Sequence, residues 1–517
     1  MRRIARASML LAAASAGCHV LGLVKEMLIA GQFGISRAMD AFYAALAVPH
    51  ALNNILLSAF GAVFIPAYVR HALLGNEAAD RVAAAALRRL GLILALAAAA
   101  LFAGAPLVIG LGFRGLPPDG AGEAVRILKV VAFTMVLSGA AGALSGVLNA
   151  RAHFFWPAVS PVLVTLVSIV FIVLGAQRMG VMALAWGLGA GLLAQCLVLA
   201  AAARREGFRP AFLDARGEPA VREMTAGALL LIVGIVAAQG NVLVDSVMAS
   251  YLAPGSLAAL SYAAKLVMVP LVVFTGSLAT AAFPHFSKQA AGGRIAELKE
   301  ALAASIRMAG FVFLPLTVAL VILARPLIAL LFQRGAFDRE AAELTSAILA
   351  CYAPQMFFCT VSILLVRVHL ALDERAVMVK VAFAGVGMNV AFNLLFIRLI
   401  DPPAAGLALS TSLVQCIASW LFYLPLARRI GALHAQDLLP ALLRTACASA
   451  AMAAAILAAS AAAGARGAGP VACLAVSAAA GAVVFPAAAR LLGSTELDGL
   501  ARLARDACRL RRPGGSR

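Results

Sequence analysis

Residues 20–50 read VLGLVKEMLIAGQFGISRAMDAFYAALAVPH. The stretch is apolar enough for a lipid bilayer, yet it carries Lys25 beside Glu26 and then Asp40. Charge inside hydrocarbon is costly and persists where it faces protein or a water-filled cavity. The fold therefore turns on whether this is a membrane segment, and the rest of the chain answers that. Of 517 residues, 63% are hydrophobic and 13% charged, with mean hydropathy +0.98. A soluble domain lies nearer half apolar and a quarter charged.

Long apolar runs recur along the whole length, the pattern of an all-α polytopic membrane protein. About fourteen runs are long enough to span a bilayer. They begin near Ala7, Met39, Leu87, Ala124, Ala158, Val181, Met224, Ser256, Ala301, Thr345, Ala376, Ala404, Leu439 and Val471. The net charge of +19 would suggest nucleic acid in a soluble protein, but here the charges punctuate apolar runs. No basic-aromatic surface module is visible, so nucleic-acid binding is not expected.

One set of alternate loops is rich in Lys and Arg: Arg70, Arg81, Arg88 and Arg89, Arg151, Arg204 to Arg222, Lys288 to Lys299, Arg375 and Lys380, Arg428 and Arg429. The opposite set holds Arg37, Arg114, Arg126, Arg178, Arg334, Arg339, Arg398 and Arg466. Both termini, MRRIAR and RLARDACRLRR, are rich. The positive-inside rule places both ends in the cytoplasm, as an even span number requires. The start, MRRIARASMLLAAASAGC, resembles a lipoprotein signal peptide. However, Ser15 stands where an aliphatic residue is usual and the run continues to about Gly34, so it is expected to span instead.

Residues 42–49, FYAALAVP, match SYAAKLVMVP at 261–270. LVKEMLIA at 23–30 matches LVDSVMAS at 243–250, and FIPAY at 64–68 matches FPHF at 283–286. The offset is about 220 residues throughout. Two parallel six-helix lobes are expected, residues 1–215 and 216–432, then two further helices at 433–493. A substrate site between lobes is common in such secondary transporters. The tail 494–517 spaces Leu497, Leu500, Leu503 and Leu510 among arginines. It suits either an amphipathic helix on anionic phospholipid or a solvated tail.

Cys18, Cys196, Cys351, Cys359, Cys416, Cys447, Cys473 and Cys508 form no CxxC pair or Cys/His cluster, so no zinc site or disulfide framework is expected. No GxxxxGK[ST], HExxH or GxSxG constellation appears, and a transporter rather than an enzyme is expected. What remains is a set of polar groups inside spans. His19 and Glu26 are seven apart and share a helical face, with Lys25 ~100° round. Lys25 lies ~13 Å of helix from the span end near Gly34, far for snorkelling. A cavity-facing cluster and a Lys25–Glu26 pair are the two readings. Asp40 begins the second span, either as a cavity residue or as an N-cap. Asn53 and Asn54 add polarity deeper in that span. Lys265, inside SYAAKLVMVP, has no adjacent acid in the sequence. Lys25 and Lys265, read as lying on corresponding helices of the lobes, would suit an anionic substrate such as a diphosphate. Asp245, with Asn389 and Asn393 (i, i+4) and Ser410, Thr411 and Ser412, gives either a Na⁺ or proton site or a helix-gluing hydrogen-bond network.

At these residues the chain resembles the lipid II flippase family (MurJ, formerly MviN), in the superfamily that also holds MATE exporters and O-antigen-type flippases. The opening stretch with FIPAY carries the likeness, as do LSGVLNARAHFFWPAVSPVL at 144–163, SYAAKLVMVP with FPHFSK, and RPLIALLFQRGAFD at 325–338. The resemblance implies flipping of undecaprenyl-diphosphate-linked peptidoglycan precursor, lipid II, between leaflets of a bacterial inner membrane, by alternating access and as a monomer. The family keeps cavity arginines for the diphosphate. Here the matching positions read His19, Lys25 and Lys265, with Asn53 and Asn54 where the family has arginine. Asp40 matches, and an acid expected a few residues after Asn54 is absent. The cation site of some members maps onto Asp245, Asn389, Asn393 and Thr411, with Asn393 in place of an acid, and Na⁺ or H⁺ is the coupling ion implied. Lysine holds a phosphate as a point charge, not a bidentate fork, which leaves another polyprenyl-diphosphate glycan as an alternative cargo. A MATE-like exporter of cationic drugs would want carboxylates where the lysines stand, and a scaffold would need no intramembrane charge.

Overall fold

The computed structural model describes residues 2–497 except 74, 152, 209–231, 233–234, 238 and 434, with backbone alone at 2–16, 19, 65, 76 and 435–437. The described residues form helices and no strand. In chain order these are α1 (Arg2–Phe33), α2 (Arg37–Ala72), α3 (Asn76–Ala103), α4 (Ala105–Gly112), α5 (Pro118–Ala150), α6 (Phe155–Val159), α7 (Pro161–Met179) and α8 (Met182–Arg205). After α9 (Ile235–Ala249) come α10 (Ser256–Pro270), a π turn at Leu271–Thr275, α11 (Gly276–Ala291), α12 (Ile295–Phe332) and α13 (Arg339–Tyr352). The series ends with α14 (Gln355–Ala371), α15 (Arg375–Leu399), α16 (Pro403–Ile430), α17 (Ala435–Ala465) and α18 (Pro470–Leu491).

Twelve helical segments are long and apolar enough to cross a membrane. With the 32-residue α1 and the shorter apolar α9, the helices stand where the apolar runs do, and the chain is a multi-span all-α membrane protein. The start of the run at Met224 lies outside the described residues. The repeat is written into span lengths. Arg37–Ala72 and Ser256–Ala291 are both 36 residues long, 219 apart at each end. Pro118–Ala150 and Arg339–Ala371 are both 33 long and 221 apart; Phe155–Met179 and Arg375–Leu399 are both 25 long and 220 apart.

The chain divides into two compact units: Arg6–Ala258 with Arg334–Phe337, and Ala259–Gln333 with Met1–Ala5 and the chain from Asp338 onward. This division by contact and the repeat boundary near 215/216 are different partitions, since α9 is grouped with the first unit. In the first unit α2, α3, α5 and α8 close on Phe64, Tyr68, Val82, Val147, Leu199 and Phe208. Gly187 and Gly191, four apart on α8, let α7 approach closely. A Cβ at Gly191 would press on the backbone of Val164, the small-residue contact that holds helices together where lipid supplies no hydrophobic drive.

In the second unit α11, α12, α14 and α16 share a core of Phe286, Leu302, Ile306, Leu364, Val368 and Phe422. The last two helices pair with each other and dock on α12, through Phe311, Ala448 and Ala489. The start of the tail follows them back to the bundle: Glu496 pairs with Arg307 at 3.4 Å, Ser494 Oγ donates to Glu496 at 2.8 Å, and Leu497 packs on the Phe311 cluster. This corrects the expectation of a surface tail for residues 494–497; residues 498–517 lie outside the described residues.

Each unit is closed at one end by a polar knot. In the first, Arg151 donates from Nε to the Tyr68 hydroxyl at 2.8 Å. It also pairs with Asp80 at 2.5 Å and donates to the carbonyl of Glu206, while His153 Nε2 meets Glu206 Oε2 at 2.9 Å. In the second, Glu374 accepts from Arg429 at 2.6 Å and pairs with His369 Nδ1 at 2.7 Å. The other ring nitrogen of His369 meets the Phe422 carbonyl at 2.9 Å.

Candidate functional site

In the first unit the charged pair of the opening stretch forms as a pair. Lys25 Nζ lies 3.4 Å from Glu26 Oε1, with the lysine side chain 29% exposed and the glutamate 10%. An ion pair made of adjacent residues leaves the lysine fork-free and partly open, so it can still offer N–H donors to a second anion. The side chain of His19, on the same helix, lies outside the described residues.

Asp40 does not cap its own helix. Ser36 is the N-cap of α2 and accepts from the amide of Met39 at 3.4 Å. The Asp40 carboxylate is buried and accepts the backbone N–H of Gly255 at 2.5 Å and of Ala258 at 2.8 Å. It therefore caps the first turn of α10, satisfying amides that have no intrahelical partner and placing negative charge at the positive end of the dipole. Gly255 has φ +90, and a Cβ there would collide with the carbonyl of Ile35. The neighbouring RGAF motif is docked in the same way. Ala336 N donates to the Gly31 carbonyl at 2.8 Å, and Gly335 (φ +57) has no room for a side chain against Gly31. Deeper in α2, Asn53 and Asn54 are half-buried. Asn53 Oδ1 is buried and accepts no hydrogen bond from the described residues, an acceptor in low dielectric that a ligand donor or water would satisfy.

The second unit carries Lys265 on α10, half-buried, its Nζ 5.9 Å from the ring centroid of Tyr262 one turn earlier. Tyr262 is fully buried against Phe332, ring to ring at 5.4 Å, so the platform under the ammonium is fixed. Pro270 lacks an N–H and crowds the carbonyl four residues before it. The helix yields there, widening into the π turn Leu271–Thr275 before α11 resumes, and Thr275 Oγ1 meets Thr360 Oγ1 at 2.6 Å. Such π turns cluster at functional sites.

The equivalence expected of the two lysines needs correction. Aligning Tyr43 with Tyr262 puts Leu46 at the place of Lys265, and LVKEMLIA over LVDSVMAS puts Asp245 at the place of Lys25. The lysines therefore stand on the first helix of one repeat and the second helix of the other.

The donor set read for a cation is a hydrogen-bond network in the second unit. Asn393 Nδ2 donates to Asn389 Oδ1 at 3.2 Å, Ser410 Oγ donates to the Asn389 carbonyl at 3.4 Å, and Thr411 donates to Leu407 O one turn back. Ser412 reaches the Cys351 carbonyl at 2.6 Å. Asn389 and Asn393 are fully buried, and Asp245 belongs to the other unit. These five residues of the second unit are neutral, and Asn393, Ser410, Thr411 and Ser412 donate to the Asn389 side chain or to backbone. That pattern fits helix-to-helix gluing.

Sequence reasoning passed over Arg151, Asp80 and Tyr68, which are far apart in sequence, and Arg367 on α14, whose guanidinium lies 5.3 Å from the Phe283 ring centroid. The signal for Arg367 was present, an arginine inside the apolar run VSILLVRVHLA.

The model of the lipid II flippase MurJ family matches residues 29–468. The lipid II flippase MurJ of Burkholderia cenocepacia is 29% identical over 428 residues, 80% of this chain and 81% of that protein. A solved structure of the lipid II flippase MurJ in an inward closed conformation superposes with TM-score 0.77 at 20% identity, covering 93% of this chain and 98% of the other. An inward-facing MATE-family multidrug transporter of the MOP superfamily follows with TM-score 0.69 at 14% identity, covering 82% of this chain and 99% of its own. These two likenesses show the shared fold. The family match spans the repeat, the RGAF dock and the lysine-bearing helix α10, and the chain belongs to the lipid II flippase MurJ family.

Proposed function

We propose that this protein moves lipid II, the undecaprenyl-diphosphate-linked peptidoglycan precursor, from the inner to the outer leaflet of the bacterial inner membrane by alternating access. The observation that carries the reading is the family match over residues 29–468. Two half-buried lysines on membrane helices support it, since an anionic diphosphate needs cations and a cationic drug would not. Lys25 and Lys265 bind the diphosphate, with His19, Asn53 and Asn54 adding polar contacts to phosphate or sugar. Glu26 holds Lys25, and Asp40 caps the first turn of α10. Both termini lie in the cytoplasm, the arginine-rich tail meets anionic phospholipid, and the protein works as a monomer. Asp245 is the one carboxylate of the cation set and can carry a coupling proton.

The test is complementation of a strain depleted of its lipid II flippase. The wild-type chain restores growth, and Lys25→Ala and Lys265→Ala each abolish rescue while folded protein stays in the membrane. Full rescue by either variant removes that lysine from the site. No rescue by well-expressed wild type moves the cargo to another polyprenyl-diphosphate glycan.

A further inference from the structure

Arg367 is a half-buried arginine of the second unit that no role above uses. It lies on α14 four residues before the helix end at Ala371. Its guanidinium sits over the Phe283 ring at 5.3 Å, and among the described residues no carboxylate or hydrogen-bond acceptor reaches it. Its neighbours at that end of the unit are differently placed: Arg429 has Glu374 and Arg307 has Glu496. A ring face attracts a guanidinium, but it accepts none of the five N–H groups, and a half-buried charge without a counter-charge is costly. That cost falls when an anion is bound.

Position along the helix bears on which anion. Phe283 lies eight residues before the end of α11 at Ala291, ~12 Å of helical rise. The guanidinium is therefore held on a ring about two turns short of the helix end and is not extended toward that end as a snorkelling arginine would be. Lys265 is on the same rod of α10, π turn and α11, eighteen residues before Phe283 and so ~27 Å nearer its other end. The rod thus meets two cations at two levels, and the chain just after α11 and α14 carries Arg294 before α12, Lys299 near the start of α12, and Arg375 and Lys380 near the start of α15, the lysine- and arginine-rich cytoplasmic set.

We propose that Arg367 is a second phosphate-binding residue of the transport path, engaging the lipid-linked diphosphate in the cytoplasmic half of the membrane before Lys265 does. This rests on the flippase reading above. Guanidinium presents a planar fork that matches two phosphate oxygens at once, and Phe283 holds that fork pre-oriented. Arg367 thereby supplies the bidentate recognition that His19, Lys25 and the asparagines of α2 cannot.

The test uses the full-length protein in nanodiscs and sugar-free undecaprenyl diphosphate as the probe, with phosphatidylglycerol retention measured in parallel and the melting temperature recorded for each variant. Arg367→Gln, which keeps the stem, and Arg367→Ala each weaken diphosphate binding about tenfold. Arg367→Lys weakens it less, and phosphatidylglycerol retention is unchanged. Arg367→Gln that folds and binds undecaprenyl diphosphate like wild type overturns the proposal. So does loss of phosphatidylglycerol alone, which makes Arg367 a bilayer anchor. Lys265→Ala separates the two levels. If it loses the probe while Arg367→Gln does not, the flippase reading stands and this inference falls; if neither loses it, both fall.

Discussion

The two polar knots occupy matching places in the repeat and are wired with opposite sign. In the first unit the loop after the 33-residue span supplies a base, His153, to an acid at the end of α8, Glu206. At the position 221 residues on, the loop after the matching 33-residue span supplies an acid, Glu374, to a base at the end of α16, Arg429. Pairing at that place persists although its polarity is exchanged. What the fold needs there is therefore a tie between a loop and a helix end, and either charge order provides it. The helices meeting at that end differ more. Arg151 sits under the first tie and binds α2 and the start of α3 through Tyr68 and Asp80. In the second unit His369 does the central work, fully buried between Glu374 and the Phe422 carbonyl. Both ring nitrogens are engaged, Nδ1 by the Glu374 carboxylate and Nε2 by the Phe422 carbonyl.

The comparison breaks most visibly at the centres of the knots. Arg151→Ala takes the counter-charge from Asp80, whose side chain is 16% exposed, and leaves it the Tyr68 hydroxyl, which donates to it at 3.2 Å. Losing one partner of a largely buried pair costs about 3 kcal/mol, seen as a fall of several degrees in melting temperature in detergent, with little change in an Asp80→Asn, Arg151→Met double variant. If Arg151→Ala melts like wild type, the first knot is decoration. His369→Ala should cost about 2 kcal/mol, from a lost buried ring and an orphaned Phe422 carbonyl. If it costs more than Arg151→Ala, the second unit depends on its knot more than the first does.

The exchange of sign can be copied directly. His153→Glu or Glu206→Arg alone removes a half-exposed pair and should cost up to about 1 kcal/mol. Together they reproduce the polarity of the second unit, and the double variant should melt within about 0.5 kcal/mol of wild type. A double variant worse than the sum of the singles would show that polarity, not pairing, is what matters at that end.

Most of the fold is legible in the sequence because hydropathy and repeat signals are local. The run starts among the described residues fall on or beside the helices, and Tyr43/Tyr262 sets the 219-residue offset that the spans Arg37–Ala72 and Ser256–Ala291 then keep at both ends. The site is legible only in residue type. Asp40 stands out as a buried acid, but its use as a cap depends on amides 215 and 218 residues away, and nothing near Asp40 encodes that. The same holds for LLFQRGAFD, specific as a string, whose glycine is required because Gly31 approaches it. For Asn389, Asn393 and Thr411 the sequence leaves ion binding and helix gluing open. The hydrogen bonds that Asn393 gives to Asn389 and Thr411 gives to the Leu407 carbonyl fit gluing.

The smallest effect isolates the acid of the second tie. Burial pushes the Glu374 carboxyl up, but hydrogen bonds and charge from Arg429 and His369 outweigh it, leaving its pKa below the ordinary carboxylate value. A lowered pKa means the folded protein holds the ionised form better than the unfolded chain does. The stabilisation is therefore complete above the unfolded carboxylate range, about pH 4.3, and is lost as pH falls through the lowered folded value. Arg429 is half-exposed, which keeps the gain under about 1 kcal/mol. The melting difference between wild type and Glu374→Gln should then be constant from pH 8 to pH 6 as far as this carboxylate is concerned, and shrink below pH 4. A difference that grows on acidification would mean the carboxyl is held protonated, which would reverse the sign of the second tie and remove the contrast with His153–Glu206.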